Sequence, residues 1–395
     1  MHVERQVTPE RLPPWLSALV QARFVVLLLV GTLPGLWHLH TVGAVGDWNF
    51  FRDAAQVLVG RGGTSALHLY EASPQTQIGP PALLLALPVA LLPATVSPWV
   101  AVALIGAFLP VCCYLIERAG DARGAVDDRT ALTVLGGGVF VGTYWWRLAA
   151  DFTHPEDAVA VTAACLVLGW SRSRRGTWLP WIAAALLGTA AAGKPWAVGL
   201  LPLVASWPGT PLLRAGRVVA GGLVVVAWWL PFVLAAPGTV HALGAFRVGV
   251  WYASPLALIG LAGAPYPEWV RPVQFLLCLS LAALAVARGR GHLAPFVVVA
   301  ARVALDPQAW DYYFATVALG CLVVDAFRTR LRGPWLTAVT VVVLLDARWM
   351  ADNRVSAALQ VVPLALACVL LVAGPGAVRP LRRRFRRTSS LEGTV

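Results

Sequence analysis

The residues able to do chemistry sit in short polar stretches between long apolar runs. The first stretch reads Gly46-Asp47-Trp48-Asn49-Phe50-Phe51-Arg52-Asp53-Ala54-Ala55. A carboxylate at Asp47, just past an apolar run, can act as a general base toward a hydroxyl arriving from the outer side of a bilayer. Partial burial by Trp48, Phe50 and Phe51 would tend to raise its pKa. The same position suits a helix N-cap, and the two roles are compatible. Asp53 is expected to pair with Arg52 or to be solvated. A second stretch, Asp151-Phe152-Thr153-His154-Pro155-Glu156-Asp157, offers one imidazole and two nearby carboxylates. That is a weak metal-ligand pattern, and Asp157 equally suits the start of a helix. Lys194 is the only lysine in the chain and stands in Gly193-Lys194-Pro195-Trp196. It is either an interfacial anchor or a point charge for a phosphate or diphosphate. Two more stretches run from Asp306 through Trp310-Asp311-Tyr312-Tyr313, and from Asp346 through Arg348 to Arg354. Arg302 lies inside an apolar run, where a charge is costly and marks a functional position.

The elements holding these residues follow from composition. The chain has 395 residues, 58% hydrophobic and 13% charged, with a mean hydropathy of +0.70. Soluble domains carry roughly 25% charged residues, so this chain lacks the polar shell that a soluble enzyme needs. A disordered protein and a disulfide-stapled secreted domain are excluded as well. An all-α polytopic membrane protein remains. Twelve apolar runs are expected to span, near 16–39, 97–116, 131–149, 157–170, 178–193, 195–207, 216–236, 272–288, 293–305, 309–327, 334–346 and 355–374. The run 80–93 is short and carries Pro80, Pro81, Pro88 and Pro93, so it is expected to lie in the interface or re-enter.

The positive-inside rule supports that choice. If 80–93 does not cross, 22 of the 31 basic residues collect on one side, among them the tail Arg379–Arg387. Both termini are then cytoplasmic, and the polar stretches named above face outward. The chain reads as one integral membrane domain over 1–395, with an outer loop at 40–96 and a basic cytoplasmic tail at 375–395. The tail is expected to attract anionic lipid, and no nucleic-acid partner is expected. The net charge of +12 is explained by this distribution. The six cysteines lie in apolar runs without metal-ligand spacing and read as buried small hydrophobes. The eighteen tryptophans fit an interfacial aromatic belt, and some could stack on a sugar.

In this order the motifs resemble those of the GT-C membrane glycosyltransferases that use polyprenyl-phosphate sugars. The chain is most similar to the bacterial glycosyltransferase 87 family, the actinobacterial alpha-mannosyltransferases. The resemblance rests on Asp47, Ala54-Ala55, Gly60, Leu69-Tyr70, Pro80-Pro81, Leu92-Pro93, the turn Thr153-His154-Pro155-Glu156 and Gly193-Lys194-Pro195. It covers roughly residues 40–210, and the C-terminal half only by hydropathy. Three positions depart from it. Phe51 replaces a frequent Tyr, Ile78-Gly79 replaces an aromatic, and Thr153 replaces a Gly.

The resemblance implies a GT-C-like bundle of about twelve helices, with juxtamembrane helices after the first span. It implies a plasma-membrane enzyme that moves a hexose, expected to be mannose, from a polyprenyl-phosphate donor to a lipid-linked or glycolipid acceptor. Asp47 would be the base in a single displacement. Lys194, His154, Arg302 and Arg348 would meet the donor phosphate, with Arg247 and Arg354 as further candidates. Glu156, Asp157, Asp311 and Tyr312 would position substrate. No metal site and no cofactor beyond the lipid-linked donor are expected, and metal dependence is left open. A pentosyl (arabinosyl) transferase on the same fold is the nearest alternative. A lipid or solute transporter is next, then a scaffold or polymerase subunit.

Overall fold

A computed structural model describes residues 13–372 except 44–45, 62, 64, 121–126, 174–176, 309, 328–332 and 350–351; the side chains of 172–173 and 346–349 are likewise not described. The basic tail and the Arg348 side chain therefore lie outside the described residues.

The described residues are helical, with no strand. The helices are α1 (Pro14–Val42), α2 (Trp48–Leu58), α3 (Leu69–Ala72), α4 (Pro80–Ala90), α5 (Ser97–Gly120), α6 (Asp128–Trp146), α7 (Pro155–Ser173), α8 (Leu179–Gly193), α9 (Pro211–Ala235), α10 (Gly238–Ala245), α11 (Val270–Ala287), α12 (Ala294–Ala304), α13 (Tyr312–Phe327), α14 (Trp335–Trp349) and α15 (Asn353–Val372). Each of the twelve expected runs coincides with one helical segment. Among the described residues, however, only α1, α5, α9, α11 and α15 are long and apolar enough to cross a membrane. Length and composition thus support five of the twelve expected spans. The other runs are shorter or more polar helices. At 1.5 Å per residue, α12 extends about 17 Å against a hydrocarbon core of about 30 Å. Its side chains are buried all round, as are those of α13 from Tyr312 to Asp325. Helices apolar on every side belong inside a bundle. By contrast, α9 presents Leu212, Val219, Leu223, Val226, Leu230 and Leu234 outward, which is the pattern of a lipid-facing span.

Local sequence sets the breaks that matter for the site. Pro195 disfavours helical backbone at the residue before it. Lys194 accordingly leaves α8 in extended conformation (φ −136°, ψ 106°), and the chain resumes as a 3-10 segment over Pro195–Ser206. The C-terminal end of α6 continues into one π-helical turn, Arg147–Asp151, closed by the Phe152 N–H donating to the Arg147 carbonyl at 2.9 Å.

The outer loop forms a small core of its own. Trp48, Phe51, Ala54 and Ala55 of α2 pack with Tyr70, Ala82 and Leu83. The Trp48 indole donates to Ser97 Oγ at 2.8 Å, and the Tyr70 hydroxyl donates to the Ile78 carbonyl at 2.9 Å. Helix α4 has 11 residues, about 17 Å at that rise, which is too short to cross. Its start is fastened to the end of α8 by the Gly79 N–H donating to the Gly193 carbonyl at 3.0 Å. A Cβ at residue 79 would overlap the Ala192 carbonyl. This close approach leaves no room for a side chain at residue 79.

Candidate functional site

Six ionisable side chains from four segments meet at one end of the bundle. Asp47 begins α2, but its carboxylate makes no capping hydrogen bond. It turns instead to His154, with Oδ2 3.0 Å from Nε2. That contact is close yet poorly aligned, so the nitrogen keeps hydrogen-bonding capacity. On its other side His154 Nδ1 meets Glu156 Oε1 at 2.7 Å. Lys194 reaches the same Glu156 oxygen at 2.9 Å and Asp157 Oδ2 at 3.0 Å. Asp157 Oδ1 accepts from Arg302 at 2.7 Å and from the Trp196 indole at 2.7 Å. The chain of contacts thus runs Asp47, His154, Glu156, Lys194, Asp157, Arg302.

Gly46 and Thr153 place the first link. Gly46 has φ +31°, and a Cβ there would overlap the Asp151 carbonyl. This close approach lets the Asp47 N–H donate to the Phe152 carbonyl at 3.0 Å. Thr153 is the only non-glycine residue with positive φ (56°) among the described residues. It occupies the position where the resemblance expects glycine, in the conformation that glycine adopts freely and a β-branched residue does not. The turn sends His154 back against Tyr312, with ring centroids 4.3 Å apart.

Burial and charge set the character of the network. The Asp47 side chain is 41% exposed, whereas Glu156 and Asp157 are buried. For His154, burial and the Lys194 charge favour the neutral ring. Glu156, with the contacts to Asp47 and Glu156, outweighs them and raises its pKa above that of an ordinary histidine. For Lys194, burial opposes the charge, but Asp157 and Glu156 outweigh it and raise its pKa. Its ammonium points inward with the side chain only 12% exposed, so the interfacial-anchor role does not describe it. Asp157 and Glu156 do stand in the first turn of α7, where the helix dipole favours them. Their principal partners are nevertheless the two buried cations.

The metal-ligand pattern is present in geometry. Ligand atoms of His154, Glu156 and Asp157 lie within 4.8 Å of one another. Lys194 contacts Glu156 Oε1 and Asp157 Oδ2, and Arg302 contacts Asp157 Oδ1, whereas Glu156 Oε2 is buried without a hydrogen-bond partner.

Around Arg302 the framework continues. Its guanidinium carbon sits 3.7 Å from the Tyr313 ring centroid, and its carbonyl accepts from Gln274 at 2.9 Å. Arg271 bridges Gln274 and Asp306. Asp311 is separate from the six-residue chain; it pairs with Arg147 at 3.2 Å. Of the remaining cations, Arg247 pairs with Glu268 and the Arg354 backbone bonds Asp352. Asp53 is solvent-exposed. Arg52 forms no ion pair with it, and Arg52 Nε is buried without a partner.

Arg147 and Arg52 were not singled out by sequence reasoning. Arg147 carried a usable signal, as an arginine at the outward end of an apolar run, against the prevailing charge asymmetry. No family model, curated protein or solved structure matches the chain.

Proposed function

We propose that this protein is a membrane glycosyltransferase. It moves a hexose, with mannose the first candidate, from a polyprenyl-phosphate donor to a lipid-linked or glycolipid acceptor on the outer face of the plasma membrane. The observation that carries this reading is the half-exposed Asp47 carboxylate held 3.0 Å from a buried imidazole that Glu156 clamps at 2.7 Å. A general base needs an accessible oxygen, a fixed direction and a neighbour that responds to its charge. Asp47 has all three.

In the reaction, Asp47 takes the acceptor hydroxyl proton as that oxygen attacks the anomeric carbon. The new C–O bond forms as the bond to the donor phosphate breaks, and polyprenyl phosphate leaves with the bonding electrons. One displacement inverts the anomeric carbon. His154 is a positioning residue that holds Asp47 and buffers its change of charge. Glu156, Lys194, Asp157 and Arg302 form the frame that fixes His154. Because Lys194 and Arg302 are each held by buried carboxylates, the leaving phosphate needs cations beyond them, and Arg52 is the nearest in sequence to Asp47. The pentosyl donor remains the alternative on the same site.

The test is transfer from labelled polyprenyl-phosphate mannose to a membrane-lipid extract by the purified protein in lipid. Asp47→Asn should lower the rate by about 10²–10⁴-fold with the thermal midpoint unchanged. A variant that keeps near wild-type turnover would remove Asp47 as the base. Absence of transfer from both hexose and pentose donors would overturn the enzyme reading.

A further inference from the structure

Away from the six-residue network, the segment between α10 and α11 carries a feature that the mechanism does not use. From residue 248 to residue 267 the sequence has no charged side chain. The two charges that flank the stretch, Arg247 and Glu268, pair with each other at its neck. Above the neck the backbone is tied across. The Val250 N–H donates to the Ala264 carbonyl at 2.8 Å, and the Gly263 N–H donates to the Val250 carbonyl at 2.9 Å. One side of the loop packs inward. Val250 and Leu256 are buried with Val270, the first residue of α11, and Leu305 packs against them. The Trp251 N–H donates to the Pro307 carbonyl at 2.9 Å, Ser254 Oγ donates to the Asp306 carbonyl at 2.6 Å, and Gln360 of α15 donates to the Ala253 carbonyl at 3.1 Å. The other side is apolar and uncovered: Tyr252 is 66% exposed, Leu258 45% and Ile259 62%.

We propose that this uncovered side is a membrane-dipping tip: Tyr252, Leu258 and Ile259 enter the bilayer beside the start of α11, and the partner they fit is the lipid of that leaflet. The inference needs only the membrane fold and is independent of the transfer reaction. Single exposed apolar residues are ordinary on a protein surface, but an apolar patch without a charge in it marks a partner. Continuity with α11 names the partner. Trp269, Val273 and Leu276 are exposed as well, and their spacing puts them on one face of the helix, the side that a span turns to lipid. Composition sets the depth. Trp251, Tyr252, Tyr266 and Trp269 are the residue types that settle where acyl chains meet headgroups. Gly260, with φ +84°, turns the chain directly after the 3-10 segment Pro255–Ile259, a conformation that glycine adopts freely. The loop's anchors give the insertion a consequence. Asp306 and Pro307 stand just before Trp310, Tyr312 and Tyr313, whose rings pack on Phe152, His154 and Arg302. Insertion of the tip therefore fixes the height of the polar network relative to the bilayer surface. The competing occupant is a second copy of this chain.

The experiment attaches an NBD fluorophore at Ile259→Cys, and separately at Tyr252→Cys, in the full chain with Cys368→Ser, the exposed cysteine. The protein is placed in phosphatidylcholine nanodiscs at one copy per disc. Emission from both tip labels should be blue-shifted relative to the same label at Glu268→Cys on the neck. Lipid carrying a doxyl group high on its acyl chain should quench the tip labels several-fold more than aqueous iodide does, and iodide should dominate at the neck. Adding Leu258→Asp should reverse that order at Ile259→Cys with the thermal midpoint unchanged, because Leu258 is a surface side chain. Tip labels quenched chiefly by iodide at both positions would overturn the proposal, as would quenching that ignores Leu258→Asp. Shielding that arises only at two copies per disc, without doxyl quenching, would assign the patch to a second copy and overturn it likewise.

Discussion

At the scale of single residues, the network explains why its members cannot be exchanged one at a time. Removing one partner of a buried ion pair leaves an uncompensated charge and costs about 3–5 kcal/mol, whereas removing both is far milder. Lys194→Met should therefore lower the thermal midpoint sharply, and Lys194→Met with Glu156→Gln should recover part of the loss. If Lys194 instead served the donor phosphate, Lys194→Met would raise the donor KM with little change in stability. Kinetics beside thermal melts separate the two outcomes. Arg52→Ala should behave in the opposite way, with donor affinity weakened and folding unaffected.

His154 gives a pH dependence with a definite sign. Its folded pKa is raised above that of an ordinary histidine. The stabilisation it supplies is complete below the unfolded value, near 6.5 for a model histidine. It is lost as pH rises through the higher folded value. The difference in thermal midpoint between the wild type and His154→Gln should thus shrink as pH is raised from 5 to 9. A difference that is flat across that range would show that the imidazole is not held as drawn.

Much of this was legible beforehand at the same scale. Asp47, His154, Glu156, Asp157, Lys194 and Arg302 are polar groups where bilayer chemistry makes polarity expensive, so residue type and position mark them. Their partners were not legible. Arg302 and Asp157 meet across 145 positions, and no local pattern encodes such a pairing. For that reason the expectation of Lys194 and Arg302 as phosphate ligands could not include the carboxylates that contact them.

At the scale of elements, apolar runs gave every major helix because burial dominates their composition, and four prolines in 80–93 gave the short helix α4. What the runs could not give is length. A run surrounded by protein can end early, as α12 does, or tighten into a 3-10 segment, as 195–206 does, without changing its hydropathy. The contact between α4 and α8 makes an element-scale prediction. Gly79→Ala places a methyl group against the Ala192 carbonyl and should destabilise by about 1–3 kcal/mol, the usual cost of overpacking. Because Lys194 follows directly, transfer should fall more than stability does. A folded variant with full activity would show that the α4–α8 joint does not govern the site.

At the scale of the whole molecule, the site lies at one end of the bundle. Another group of arginines binds elsewhere: Arg23 to Glu117, and Arg290 to the Leu370 carbonyl. On the proposed topology the second group lies on the cytoplasmic side. In a Cys368→Ser background, since Cys368 is the exposed cysteine, an impermeant maleimide should label Ser65→Cys on intact cells. It should label Arg288→Cys only after permeabilisation. The reverse pattern would invert the topology and place the site in the cytoplasm.

The π turn at Arg147–Asp151 has a consequence for how such a site can arise or be lost. A π turn is an α-helical turn carrying one surplus residue. Deleting Ala149 or Ala150 would restore the ordinary ladder and rotate everything beyond it by about 100° relative to α6. The Phe152 carbonyl that holds Asp47 and the imidazole that faces it would both swing away, while the helices on either side kept their composition. A single codon's worth of chain thus separates a bundle with this polar mouth from one without it.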